Sequence, residues 1–84
     1  MKIVLNRAYG GFGYGVDDKY DELIEKYEHD RTAEELVKAV EENPEEFEDL
    51  EVVWFEDEAT DYMIEEYDGA ETLVYVLNGK LRLL

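Results

Sequence analysis

The sequence predicts an α+β fold in which two helices pack on one face of a mainly antiparallel sheet of four to five strands, in the order β-α-α-β-β-β-β. Two observations lead to this prediction. Two stretches in the first half of the chain repeat apolar residues at helical spacing, and the last third alternates short apolar runs with Asp-Gly and Asn-Gly turns. At 84 residues, the chain is expected to fold as a single domain over residues 1–84.

The chain opens with a strand and a glycine-rich loop. Residues 1–6 contain the consecutive apolar residues Ile3, Val4 and Leu5, which predicts a strand buried on both faces. Residues 10–15 include four glycines and are predicted to be a loop. The glycine spacing differs from that of nucleotide-binding loops, and the aspartates that follow would repel phosphate. We therefore expect these glycines to permit positive φ and close backbone approach.

Two amphipathic helices are predicted to follow. Asp17 or Asp18 is expected to cap the first, and its apolar residues show the i, i+3, i+4, i+7 spacing of one helical face: Tyr20, Leu23, Ile24 and Tyr27. The second is predicted to start with a capping box, in which Thr32 and Glu35 exchange hydrogen bonds, and to end before Pro44. Its predicted buried residues are Leu36, Val37 and Val40.

Four further strands are predicted after the helices, at residues 52–55, 62–67, 72–77 and 80–84. The Asp68-Gly69 and Asn78-Gly79 dipeptides separate the last three of them. Both dipeptides favour type I′ turns, which join neighbouring antiparallel strands. The last three strands are therefore predicted to form a meander.

Charge is the strongest functional signal in the sequence. Twenty-four Asp and Glu residues stand against eight Lys and Arg residues, which gives a net charge of −16. Such a surface disfavours direct binding to nucleic acid or to an anionic membrane, because both require basic residues. It favours a partner with a basic protein surface, or divalent cations. The sequence leaves the oligomeric state open.

Few residues suit catalysis. The chain contains no Ser and no Cys, His29 is its only histidine, and 24 acids make chance carboxylate pairs inevitable. We expect a non-enzymatic protein with no catalytic residues, no cofactor and no specific metal site. The chain has neither a signal-peptide pattern nor an apolar run of about 20 residues. We therefore expect a cytoplasmic protein.

Several short motifs resemble those of a group of small, uncharacterised phage and prophage proteins. These are Tyr9-Gly10-Gly11-Phe12-Gly13 after the first strand, Arg31 before the second helix, Val52-Val53, and Glu66-Tyr67-Asp68-Gly69-Ala70-Glu71. The resemblance spans nearly the whole chain. It implies an origin in a phage or an integrated prophage and a location in the bacterial host cell, and it implies no particular activity.

Two functional hypotheses follow. In the first, the protein is a phage-derived nucleic-acid mimic, and helix carboxylates replace phosphates to inhibit a basic, nucleic-acid-binding host enzyme of a defence system. The candidate residues are Asp21, Glu22, Glu25, Glu28, Glu34, Glu35, Glu41 and Glu42. In the second, it is a phage accessory or assembly protein that binds through the aromatic side chains of the glycine-rich loop, called the aromatic loop below, or through an exposed edge strand, and its acidity serves solubility. The candidate residues are then Arg7, Tyr9, Phe12, Tyr14, Tyr67 and Asp68. Arg7 is expected to form an ion pair with Asp68 or with the acids at the start of the first helix.

Overall fold

The computed structural model describes residues 1–84 and contains five strands and two α-helices. In chain order the elements are β1 (Lys2–Asn6), a 3-10 helix (Asp18–Tyr20), α1 (Asp21–Tyr27), α2 (Glu34–Glu42), β2 (Leu50–Trp54), β3 (Asp61–Tyr67), β4 (Ala70–Leu77) and β5 (Lys80–Leu83). This confirms the predicted α+β class and the order β-α-α-β-β-β-β. Neither helix has the length or the apolar composition needed to cross a membrane.

The strands form two antiparallel sheets, whereas the sequence analysis predicted one. β1 pairs with β2, and β3, β4 and β5 form a meander in that order. Asp68 and Asn78 adopt φ values of 52° and 53° at the two hairpin turns, each followed by a glycine with positive φ, as type I′ turns require. The predicted meander is therefore confirmed, and the strands outside it form a separate layer.

β1 lies in the middle of the molecule and is buried on both faces, as predicted. Val4 packs with Leu36, Val37 and Val40 of α2 in one core cluster. Ile3 and Leu5 point the other way, into a second cluster with Phe55, Leu73 and Tyr75. The helices thus cover one face of the β1–β2 sheet and the meander covers the other face. This arrangement explains the two sheets, since a strand with two apolar faces needs a covering layer on each side.

The predicted cap at the first helical segment is confirmed, whereas the start of the second helix differs from the prediction. Asp17 caps the 3-10 helix, because its carboxylate accepts a hydrogen bond from the Lys19 backbone N–H. The predicted capping box at Thr32 and Glu35 is wrong: α2 begins at Glu34, with Ala33 in the capping position and no side-chain cap. The Thr32 hydroxyl lies near Asp30 instead, and the Glu35 carboxylate accepts a hydrogen bond from the Tyr27 hydroxyl.

Candidate functional site

A buried ion pair between Arg31 and Glu71 lies between the layers. Their side chains are only 9% and 6% exposed, and the guanidinium donates to both carboxylate oxygens at 2.6 and 2.9 Å. Arg31 also donates to the Glu28 carbonyl oxygen at 2.7 Å, and its guanidinium lies 3.7 Å from the centre of the Phe12 ring. The bidentate geometry and the further partners of Arg31 offset part of the cost of burying the two charges.

The same pair closes the free edge of β1. The Asn6 backbone N–H donates to Glu71 Oε1 at 2.6 Å, and the Val4 N–H donates to the Arg31 carbonyl oxygen at 3.0 Å. The Asn6 side chain donates to the carbonyl oxygens of Ala8 and Gly69. An unpaired strand edge in the middle of a protein would leave backbone groups without partners. Arg31, Glu71 and Asn6 supply those partners and link β1 to β4.

The glycine loop packs against the β3–β4 turn by close backbone approach. A Cβ atom at Gly69 would lie 2.6 Å from the Gly10 backbone nitrogen, so only glycine fits there. The Gly10 N–H also donates to the Asp68 carbonyl oxygen at 3.4 Å. This geometry supports the expectation that the loop glycines serve close packing. The loop, Arg31 and the Asp-Gly turn therefore meet in one place in the fold.

Next to this network lies an open cleft of about 370 Å³. Its floor includes Ile3, Ile64, Arg31 and Glu71, and its walls come from the end of α1 and from β3. Since Arg31 and Glu71 already satisfy each other, neither offers a free charge to a ligand. No group of three or more His, Asp or Glu side chains in the structure is arranged to hold a metal ion.

The six candidate residues of the aromatic loop do not form one surface of free side chains. Tyr9, Tyr14 and Tyr67 are 70%, 68% and 76% exposed, and Asp68 is exposed at the hairpin turn. Phe12 is half-buried beneath Arg31 and packs on the helix-side core. The predicted partner of Arg7 is wrong: Arg7 pairs with Glu51 at 3.0 Å and donates to the Glu71 carbonyl oxygen.

The eight candidate acids on the helices are all exposed, and the structure separates them into two groups. Three of them are ion-paired: Glu35 with Lys26, Glu41 with Lys2, and Glu42 with Lys38. The other five have no basic side chain within 4.0 Å: Asp21, Glu22, Glu25, Glu28 and Glu34. Lysine therefore interrupts the acidic surface on α2, while the acids on α1 remain unpaired.

We call the unpaired carboxylates of Asp21, Glu22, Glu25 and Glu28 the α1 acidic face. At about 100° per residue, the three of these that belong to α1 lie opposite its half-buried residues Leu23, Ile24 and Tyr27. Glu28 follows in the capping position with helical φ and ψ. The two neighbouring lysines are turned toward other segments, because Lys26 pairs with Glu35 and Lys19 with Glu46. The α1 acidic face is thus free to meet a partner.

A second charged contact joins the start of the first helical segment to the turn after α2. Glu46 accepts hydrogen bonds from Lys19 at 2.8 Å and from the Tyr20 hydroxyl. The Lys19 ammonium, followed by the Tyr20 hydroxyl, holds the pKa of Glu46 below its ordinary value of 4.5. The same hydrogen bond raises the pKa of Tyr20. This contact fixes the 3-10 helix against the rest of the molecule.

Comparison of the chain with protein-family models, with curated proteins and with solved structures finds no match. The candidate sites therefore stand on the geometry of this chain alone. Sequence reasoning had missed the Arg31–Glu71 pair. The available signal was that Arg31 and Glu71 both belong to the motifs on which the predicted family resemblance rests.

Proposed function

We propose that this protein is a non-enzymatic, phage-derived interaction protein of the host cytoplasm that binds a basic protein surface through the α1 acidic face. In its specific form, the proposal is that the protein mimics nucleic acid and inhibits a nucleic-acid-binding host enzyme. One observation carries it: the acids on α1 lie unpaired on one helical face, while the neighbouring lysines are held by other carboxylates. The phage origin rests on the shared motifs.

The spacing of these charges supports mimicry of a nucleic-acid strand. From Asp21 to Glu28, four carboxylates cover seven residue steps of helical backbone. At about 1.5 Å per residue this is about 10.5 Å, or roughly one charge per 3.5 Å. One strand of duplex DNA carries one charge per about 3.4 Å of axis. A groove that binds a phosphate backbone would therefore meet a similar charge density along α1.

A second candidate function keeps the aromatic loop as the contact surface. The exposure of Tyr9 and Tyr14 favours it, because exposed tyrosines often anchor protein interfaces. Phe12 is no longer a candidate anchor, since it packs beneath Arg31. In this alternative the protein is a phage accessory or assembly protein, and tyrosine substitutions matter more than charge reversal.

The test uses the double variant Glu22→Lys/Glu25→Lys and measures inhibition of DNA cleavage by a panel of basic bacterial nucleases. We expect the unmodified protein to inhibit at least one of them at about 50 mM salt and to lose about tenfold or more of its potency at about 200 mM salt. The variant should inhibit at least tenfold less well at low salt, because it reverses half of the α1 acidic face.

The matched control is Glu45→Lys/Glu48→Lys, which makes the same change in net charge at two exposed acids without ion pairs after α2. This control should inhibit almost as well as the unmodified protein. Equal losses in the two variants would show that bulk charge, not the α1 acidic face, is recognised. A larger loss in Tyr9→Ala/Tyr14→Ala than in Glu22→Lys/Glu25→Lys would favour the accessory-protein alternative.

A further inference from the structure

The meander presents an apolar face to solvent on the side of the molecule opposite the helices. Two cross-strand rows form its centre, Met63–Val74–Leu83 and Asp61–Val76–Leu81. Met63, Leu81 and Leu83 are 57%, 73% and 70% exposed, whereas the alternate β4 residues Leu73 and Tyr75 point into the core. We call this surface the outer meander face. Apolar side chains grouped in this way mark an interaction site more often than scattered ones do.

The charges on the outer meander face are negative. Asp61 lies in the second row, and Glu65 lies next to the first row, opposite Thr72. Neither carboxylate has a basic side chain within 4.0 Å. Arg82 and Lys80 alternate with Leu81 and Leu83 along β5, so they lie on its other face. A partner for the outer meander face must therefore combine an apolar centre with positively charged flanks.

The size of the outer meander face suits one helix. Three strands about 4.8 Å apart make a surface about 14 Å wide, and the seven residues of β3 extend about 23 Å. A helix has a diameter of about 10 Å, and about 15 residues span the same length. A shallow depression of about 230 Å³ between β3, β4 and Leu81 gives its apolar residues a place to insert.

We propose that the outer meander face binds an amphipathic helix of a partner protein, with an apolar stripe and Lys or Arg residues on its flanks. Met63, Val74, Leu81 and Leu83 contact the stripe, and Asp61 and Glu65 contact the flanking cations. The basic character of the partner rests on the proposed function. The outer meander face is a different surface from the one in the proposed function, since the α1 acidic face lies on the helix side of the fold.

A second copy of the chain fits this face less well. Each copy would bring Asp61 and Glu65 to the interface, together with a net charge of −16. The surface estimated above, about 14 by 23 Å, would bury well under the roughly 1,200–2,000 Å² of a standard protein interface once both copies are counted. A helix with Lys or Arg residues on its flanks instead brings charge opposite to that of Asp61 and Glu65.

The probe for this site is an 18-residue peptide of Leu and Lys in helical amphipathic order, titrated against the intact protein by calorimetry. Leu81→Ser/Leu83→Ser removes two exposed apolar side chains and should weaken binding at least about tenfold. The matched control, Trp54→Ser, removes a 61% exposed apolar side chain at the end of β2, on the other sheet, and should leave binding unchanged. A Leu/Glu peptide of the same pattern should not bind.

The outcomes separate this inference from the proposed function. If Leu81→Ser/Leu83→Ser binds the Leu/Lys peptide like the unmodified protein while Glu22→Lys/Glu25→Lys binds less, the inference is overturned and the α1 acidic face remains the binding site. If the serine variant loses binding and the charge reversal does not, the inference holds, and the proposed function is decided separately by nuclease inhibition with Glu22→Lys/Glu25→Lys. Light scattering that shows a dimer, dissociated by Leu81→Ser/Leu83→Ser, would overturn the helix as occupant.

Discussion

At the scale of single residues, Arg31 and Glu71 bring together motifs that lie far apart in the sequence. Arg31 stacks on Phe12 of the glycine loop, pairs with Glu71 after the Asp-Gly turn, and closes the edge of β1 through Val4. The glycine loop, Arg31 and the Asp-Gly turn thus meet in one buried polar network. These residues stabilise the fold, so the exposed surfaces are the candidates for binding a partner.

Glu71→Ala should be among the most destabilising single substitutions in this chain. It leaves the Arg31 guanidinium buried without its carboxylate and the Asn6 N–H without an acceptor. Removing one partner of a buried pair costs about 3–5 kcal/mol, a large part of the roughly 5–15 kcal/mol that holds a typical domain together. Urea unfolding monitored by the fluorescence of Trp54 measures the loss.

The control for this prediction is Glu42→Gln. It breaks the exposed Lys38–Glu42 pair, whose charged atoms are 4.0 Å apart, and should cost less than about 1 kcal/mol. A Glu71→Ala variant that unfolds at the same urea concentration as Glu42→Gln would show that the buried pair contributes little net stability.

At the scale of elements, the predictable features were those set by local patterns. The two helical faces, the two type I′ turns and the doubly buried β1 all follow from residue spacing. The start of α2 did not follow, because Arg31 holds the preceding turn through both its backbone and its side chain. The Glu51 partner of Arg7 depends on the β1–β2 register, which places Glu51 opposite Leu5. Local spacing does not encode that register.

The separation into two sheets could have been inferred from the sequence by one further step. Ile3, Val4 and Leu5 indicate a strand with two apolar faces, and two helices on the same side can cover only one of them. The meander is the remaining element that can cover the other face. The unpaired state of the α1 acidic face could not have been inferred, because it depends on where Lys19 and Lys26 find partners across the fold.

Glu46 links two elements, and its effect on stability should depend on pH. Because Lys19 and Tyr20 lower its pKa, the ionised carboxylate stabilises the folded state above its ordinary pKa of 4.5. This contribution is lost as the pH falls through the lower pKa of the folded state. Glu46→Gln should therefore reduce the unfolding temperature at about pH 6, and its difference from the unmodified protein should shrink toward about pH 3.

Glu45→Gln serves as the comparison for Glu46→Gln, since Glu45 is an exposed neighbour with no ion pair. Its small effect should not follow the same pH course. A Glu46→Gln difference that stays constant between about pH 6 and about pH 3 would mean that Lys19 does not stabilise the ionised carboxylate.

At the scale of the whole molecule, the layers separate two different surfaces. The helices, the β1–β2 sheet and the meander stack in that order, so the α1 acidic face and the outer meander face lie on opposite sides. The β1–β2 sheet lies between the two surfaces, and Glu28 of the α1 acidic face also borders β3 across the open cleft. A partner can therefore bind the apolar face without meeting the full negative field of the helices.

The overall charge should make folding stability rise with salt. Seven of the 24 carboxylates are ion-paired, which leaves 17 without a basic partner on a molecule that measures 41 × 26 × 20 Å. At about 0.01 M salt the Debye length is about 30 Å, so these charges repel one another across nearly the whole structure, whereas at 0.15 M only neighbours interact.

Scanning calorimetry should show the unfolding temperature rising by several degrees between these conditions, since about 1 kcal/mol corresponds to roughly 4–8 °C in a domain of this size. Glu22→Gln/Glu25→Gln should unfold at a higher temperature than the unmodified protein in low salt and respond less to added salt, because it removes two unpaired charges. Six of the seven ion pairs are exposed and weaken with salt, but each is worth less than about 1 kcal/mol. An unfolding temperature that falls as salt is added would mean that these pairs outweigh the repulsion, and that the carboxylates do not produce the long-range negative field on which recognition by a basic partner depends.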